Sequence, residues 1–245
     1  MTADDGFFGE EVAATYDAAT SGMYDQSVID RVVDVLAELA GDGRALEFGI
    51  GTGRIAIPLA RRGVEVSGID MSRAMVARLR EKAGGAGIGV TIGDFAATRV
   101  PGAFSLTYLV FNTIGNLTTQ DAQVACFVNA AEHLQPGGSF VVEVGVPALR
   151  LLPPGQRAVP FDVGDECWAY DLYDCATQDM SSNYVDDVDG RARLRSMPFR
   201  YVWPSELDLM ARIAGLSLVE RWEDWDHRQF THESTRHVSV WQKPT

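Results

Sequence analysis

Three glycines at alternate positions, Gly49, Gly51 and Gly53, constrain this chain more than any other feature. They follow a short apolar run, Ala45-Leu46, that ends in an acid, Glu47, and an apolar helical stretch follows them. Glycine adopts positive φ at no steric cost and has no Cβ, so a strand, glycine turn and helix lets a ligand approach the backbone closely. The acid beside the turn suits a ligand carrying positive charge or hydroxyls better than a bare phosphate. A dinucleotide fold requires G-x-G-x-x-G. Counted from Gly49, its third glycine falls on Arg54, which disfavours a nicotinamide-dependent oxidoreductase. Taken alone, the turn also fits a plain structural role, packing a helix close to a strand.

Hydropathy patterning places the turn in an alternation of strands and helices. Residues 8–18 can form a short helix carrying Tyr16-Asp17, and residues 26–40 place Val28, Ile29, Val32, Val33, Leu36 and Leu39 at helical spacing. A second strand, Val64–Asp70, ends in an acid, and Met71-Ser72 opens another helix. Val90–Ile92 reads as a third strand, ending at Gly93-Asp94-Phe95, and residues 104–111 as a fourth, running into Asn112-Thr113. Thr118 or Thr119 can cap the next helix, and a fifth strand is expected over Ser139–Val144. Such alternation implies a doubly wound α/β fold with a mostly parallel sheet, seven-stranded once the closing strands Ser217–Trp222 and His237–Trp241 are added. Ligands of these sheets sit at the carboxyl ends of the strands. Glu47, Asp70, Asp94 and Asn112 all fall there. Asp70 lies about 20 residues beyond Gly49, where an acid meets a ribose diol, and its two oxygens suit two adjacent hydroxyls.

Composition bounds the function classes. The chain has 245 residues and a formal net charge of −13 with no lysine or arginine run. Nucleic-acid binding depends on neutralising phosphates, so a DNA or RNA substrate is disfavoured and a small molecule favoured. Three cysteines without C-x-x-C spacing fit a reducing, cytoplasmic setting. No segment reaches about 18 uninterrupted apolar residues, so no membrane span is expected.

Glu47 with G-x-G-x-G, then Asp70, then Gly93-Asp94-Phe95, then His133-Leu-Gln-Pro-Gly-Gly138 together resemble the order of motifs in the class I S-adenosylmethionine (SAM) dependent methyltransferases. The resemblance covers residues 12–145. It implies SAM as cofactor and S-adenosylhomocysteine as product. Glu47, Gly49, Gly51 and Gly53 would form the amino-acid side of the SAM site, Asp70 would hold the ribose, and Met71 would pack on the adenine. Asp94 would face the adenine amine with Phe95 beside it. Phe111-Asn112 would line the methyl-donor mouth, with Asn112 toward the substrate, and Tyr16 would close it. For Tyr16 and Phe111 an ordinary core role is the alternative.

Departures from the family narrow the acceptor. Methyltransferases of DNA or protein amides carry an Asn or Asp followed by Pro-Pro-aromatic after strand four. Here the stretch is Phe111-Asn112-Thr113-Ile114-Gly115-Asn116. It looks more like methyltransferases of small molecules, including amino sugars and other natural products. Asp94, Asn112 and Asn116 could be imagined as ligands of a hard cation, but no metal site is expected. His133 reads as a structural residue at a helix end.

Residues 146–203 break the alternation. Strand-like runs at Glu166–Ala176, Met180–Val188 and Arg191–Trp203, with Asp189-Gly190 as a hairpin signal, predict an antiparallel β-insertion. The core is then 1–145 and 204–245, with the insertion as substrate lid or dimer surface, which leaves a homodimer open. Tyr170, Tyr173 and Arg200 are expected to contact substrate, as is Trp225 from a later loop. Tyr16 and His227 are the expected catalytic groups if a hydroxyl acceptor needs a base. The expected function is SAM-dependent methyl transfer to N or O of a small molecule. The alternative is a methyltransferase-like binding or regulatory protein that holds SAM without turnover.

Overall fold

The computed structural model describes residues 5–20, 25–164, 167–188 and 190–245. Glu166 and Asp189, which the sequence places in the insertion's strands and turn, lie outside the described residues. Two helices, α1 (Glu10–Thr20) and α2 (Gln26–Ala40), precede β1 (Arg44–Phe48), α3 (Ala56–Arg61), β2 (Glu65–Asp70), α4 (Arg73–Glu81) and β3 (Gly89–Ile92). Then come β4 (Phe104–Leu109), α5 (Gln120–His133) and β5 (Leu134–Gly145). The insertion supplies β6 (Ala158–Val163), β7 (Cys167–Tyr173), β8 (Asp179–Val188) and β9 (Arg191–Arg200), and α6 (Pro204–Ile213), β10 (Ser217–Trp222) and β11 (Arg236–Gln242) close the chain. Helix starts follow side-chain chemistry. Asp25, Ser72 and Thr119 accept the N–H groups of Ser27, Met75 and Ala122, two or three residues into α2, α4 and α5.

Seven strands form one sheet in the order β10-β11-β5-β4-β1-β2-β3. β1 runs parallel to β2 and β4, β2 to β3, and β4 to β5, whereas β11 is antiparallel to both β5 and β10. Strand order therefore reverses between β1 and β4, and a cleft opens there at the carboxyl ends. Both faces are covered. Phe48, Phe127, Phe140 and Trp241 pack with α5 and α6 on one side; Val33, Leu36, Leu59 and Tyr108 pack with α2 and α3 on the other.

The insertion is a separate antiparallel sheet in the order β6-β7-β8-β9. β6 is not visible in the periodicity, because Pro160 interrupts it; proline is tolerated there since β6 is an edge strand. On β7, Ala169 and Tyr173 are buried while Trp168 and Leu172 on the opposite face are exposed. The inward face abuts the core: a Cβ on Gly115, in the turn after β4, would meet Phe199 at 3.3 Å. Among the described residues, two ion pairs tie the insertion to the rest of the chain at opposite ends of β9. Arg200 is buried in a network with Gln123, Gln178 and Glu206, and Arg193 forms an exposed ion pair with Glu11 of α1 at 2.6 Å. Among the described residues no helix is long and apolar enough to cross a membrane.

Candidate functional site

The cleft is built on the glycine turn. Gly49, Gly51 and Gly53 all have positive φ, at 71°, 54° and 78°. The turn is also crowded: a Cβ at Gly49 would stand 2.7 Å from Thr113 Cγ2, and one at Gly53 would stand 2.9 Å from Leu79 Cδ1. Only glycine satisfies both demands, and the backbone is left bare toward the cleft. Asp70, at the end of β2, accepts the Gly51 N–H through Oδ2 at 2.7 Å and the Ser72 N–H through Oδ1 at 2.8 Å. Burial nevertheless raises its pKa, opposed by those two bonds.

Two buried acids line the cleft, one on each side of β4. Glu47 accepts the Tyr108 hydroxyl at 3.0 Å, and burial pushes its carboxyl up to about 8. Glu143, on β5, accepts the Phe111 N–H at 3.1 Å, and burial raises it as well. The Trp225 indole is near enough to favour Glu143 in its charged form, yet its Nε1 has no partner at full hydrogen-bonding geometry. Arg54 supplies the opposing charge. Its guanidinium carbon lies 4.7 Å from the Phe111 ring centroid and 5.4 Å from that of Tyr16, and both rings line the cleft.

β4 stops at Leu109, not at 111, for a local reason. Phe111 and Asn112 both adopt left-handed backbone, at φ 64° and 58°. A bulky residue in that region costs energy and persists only where neighbours enforce it. Here Glu143 holds the Phe111 N–H, Asn112 N–H donates to the Glu143 carbonyl at 3.2 Å, and Asn112 Oδ1 accepts the Gly145 N–H at 2.6 Å. The corner aims the Phe111 ring into the cleft.

The structure brings Tyr16, Glu47, Gly49, Gly51 and Phe111 together around this cleft. Tyr16 arrives on α1, which is tied down beside it: Asp17 accepts the Thr52 hydroxyl at 2.6 Å and pairs with Lys82 at 2.6 Å. Met71 follows Asp70 and is 53% exposed. Asp94 is exposed, and its Oδ1 accepts the Ala96 N–H at 2.8 Å. Phe95 is in the core, stacked on Phe48 at 5.9 Å, so it supports the glycine turn from below. Asn112 spends its carbonyl oxygen on the Gly145 backbone.

Five other expected residues sit elsewhere. Arg200 does not face a ligand; its guanidinium is consumed by Gln123, Gln178 and Glu206 because it is buried with them. Tyr173 packs against Val159 and Tyr201 inside the insertion. Tyr170 shares the outward face of β7 with Trp168 and Leu172. His227 is exposed and stacked flat on Trp222, ring centroids 3.8 Å apart, and is not among the residues that line the cleft. Trp225 is buried behind Glu143. His133 is structural as expected: Nε2 accepts the Val100 N–H at 2.9 Å, which leaves Nδ1 to donate to the Asn129 carbonyl. Sequence reasoning missed Arg54 and Glu143. In the sequence Arg54 stands only where a dinucleotide fold would need glycine, and Glu143 alternates within an apolar strand where nothing marks it as facing the cleft.

A family model described as a methyltransferase domain matches residues 45–138. An uncharacterized methyltransferase of Geobacillus kaustophilus is 31% identical over 137 residues, covering 54% of this chain and 62% of that protein. One from Bacillus mycoides is 31% identical over 136 residues and 63% of its length is matched, so the chain spans under two thirds of these curated relatives. Among solved structures, the CcbJ methyltransferase from Streptomyces caelestis is similar over 99% of this chain and 100% of its own, with 34% identity and a TM-score of 0.87. A SAM-bound amino pentose methyltransferase from Micromonospora echinaspora shares the fold at 19% identity and a TM-score of 0.70, over 94% of this chain and 96% of its own.

Proposed function

We propose, from the premise that this chain belongs to the class I SAM-dependent methyltransferase family, that it binds SAM in the cleft over the glycine turn and methylates a small molecule at N or O. The observation that carries this reading is the donor and acceptor set around that turn. A bare glycine backbone lies between Glu47 and Asp70, with Arg54 facing it. These groups complement the ammonium, ribose diol and carboxylate of SAM. Met71 would flank the adenine, and Asp94 would accept from its amine.

Bound SAM supplies an activated methyl group. The chain's own task is to align a nucleophile and exclude water. Phe111 and Tyr16 wall the mouth, and the insertion roofs it. The register of the insertion puts Ala169, Tyr184 and Arg195 on the inward side, where they would meet the acceptor. An amine in its neutral form needs only alignment. A hydroxyl needs a base, and within the cleft the Glu143 carboxylate would take its proton, since burial raises the Tyr16 phenol above its ordinary value and keeps it protonated.

Calorimetry with SAM, S-adenosylhomocysteine and NAD tests the cofactor half. Binding of the first two and not the third is expected; tight NAD binding would sink the assignment. Methyl-labelled SAM incubated with panels of small amines and alcohols tests the acceptor half.

A further inference from the structure

Arg54 lies between two aromatic faces inside the cleft, 4.7 Å from the Phe111 centroid and 5.4 Å from the Tyr16 centroid. An aromatic face attracts cations through its quadrupole, more strongly when the site is desolvated. The Phe111 ring is held in that position by a left-handed backbone corner braced from β5, so the arrangement is built and not incidental. The side chains of Glu47 and Glu143 line the same cleft, and a cation bound there would favour their ionised forms. The cofactor proposed above is itself a cation at sulfur, and its product is a neutral thioether at the same atom.

We infer that Arg54 sets the protein's preference between cofactor and product, because its guanidinium and the sulfonium draw on the same Phe111 and Tyr16 faces. Like charges brought to one site repel, and they repel more where water is thin. Arg54 therefore disfavours the sulfonium of SAM while tolerating the uncharged sulfur of S-adenosylhomocysteine. Any contact that Arg54 makes with the ligand's carboxylate is common to both molecules and cancels when their affinities are compared. The inference rests on the cofactor reading but asks a different question of the site: which of two near-identical ligands is held more tightly, and why.

The experiment is a pair of calorimetric titrations, SAM and S-adenosylhomocysteine, on the wild type and on Arg54→Met, Arg54→Gln and Phe111→Leu. Two uncharged replacements of Arg54 are used so that a folding failure in one, detected by circular dichroism, leaves the other to be read. Removing the arginine charge is expected to shift the affinity ratio five- to tenfold in favour of SAM. Phe111→Leu is expected to shift it the other way, by twofold or more, since the sulfonium loses an aromatic face. A ratio within twofold of wild type in the folded Arg54 variants overturns the inference, including the case where both ligands weaken equally and Arg54 is only a carboxylate anchor. Failure of the wild type to bind either ligand overturns the cofactor reading and this inference with it.

Discussion

Asp70 accepts the backbone N–H of Gly51 at 2.7 Å. The carboxylate positioned to meet a ribose therefore also fixes the glycine turn on which the ligand would lie. Its second oxygen holds Ser72 at the start of α4. Replacing Asp70 with alanine removes a ligand contact and a brace together. SAM affinity is expected to fall ten- to a hundredfold, about 1.5–3 kcal/mol. Unchanged affinity by calorimetry would remove Asp70 from the site.

Glu47 provides a pH signature. Burial holds its carboxyl at about 8, so near neutrality the acid is mostly protonated. A ligand ammonium favours the charged form, and binding then expels a proton. SAM affinity is expected to rise with pH from 6 to 8, by no more than about tenfold per unit, and Glu47→Gln should flatten the profile. For the protein alone the sign is opposite. The folded state binds this proton more tightly than the unfolded state, so the group's contribution to stability declines as pH rises from the ordinary carboxylate range through about 8. Melting curves of wild type and Glu47→Gln across that range check it.

Arg200 and Tyr170 separate structure from recognition in the insertion. Arg200→Ala strips the partner from Glu206, whose side chain is only 14% exposed, and from buried Gln123. Removing one member of such a buried pair costs about 3–5 kcal/mol, so a clear fall in melting temperature is expected. Tyr170→Ala, on the outward face, should leave SAM affinity within about twofold, a change of roughly 0.4 kcal/mol. A Tyr170 variant that loses SAM would contradict the outward placement of that face.

The fold was legible wherever one face of an element had to be apolar. Helix α2 spans the expected residues 26–40 and buries Val32, Val33 and Leu36 of its apolar stripe, and Thr119 caps α5 through its side chain. The glycine spacing marked the turn because crowding by Thr113 and Leu79 leaves no other residue an option. What could not be read depends on burial created by distant segments. Arg200 resembles a free surface cation until α5 and α6 enclose it. Glu143 resembles a polar interruption of an apolar strand until the Phe111 corner closes against it. His227 has a catalytic group's chemistry, but Trp222 takes its ring face.

Among the described residues no three His, Cys, Asp or Glu side chains group as metal ligands, and alignment of an activated methyl group calls for no Lewis acid. Methyl transfer, once an acceptor is found, is expected to survive EDTA. Complete loss with recovery on adding magnesium would direct attention back to Asp94, Asn112 and Asn116.

The two attachments of the insertion differ in strength by their exposure. At the Arg200 end the ion pair is buried and hydrogen-bonded on several sides. At the Arg193 end a single pair meets Glu11 with side chains 51% and 76% exposed, and such pairs contribute less than about 1 kcal/mol and weaken with salt. The sheet is thus hung like a door, with its hinge on α6 and its latch on the helix that carries Tyr16. Ionic strength should act on the latch far more than on the hinge, so that added salt speeds ligand exchange through the cleft while leaving the melting temperature nearly where it was.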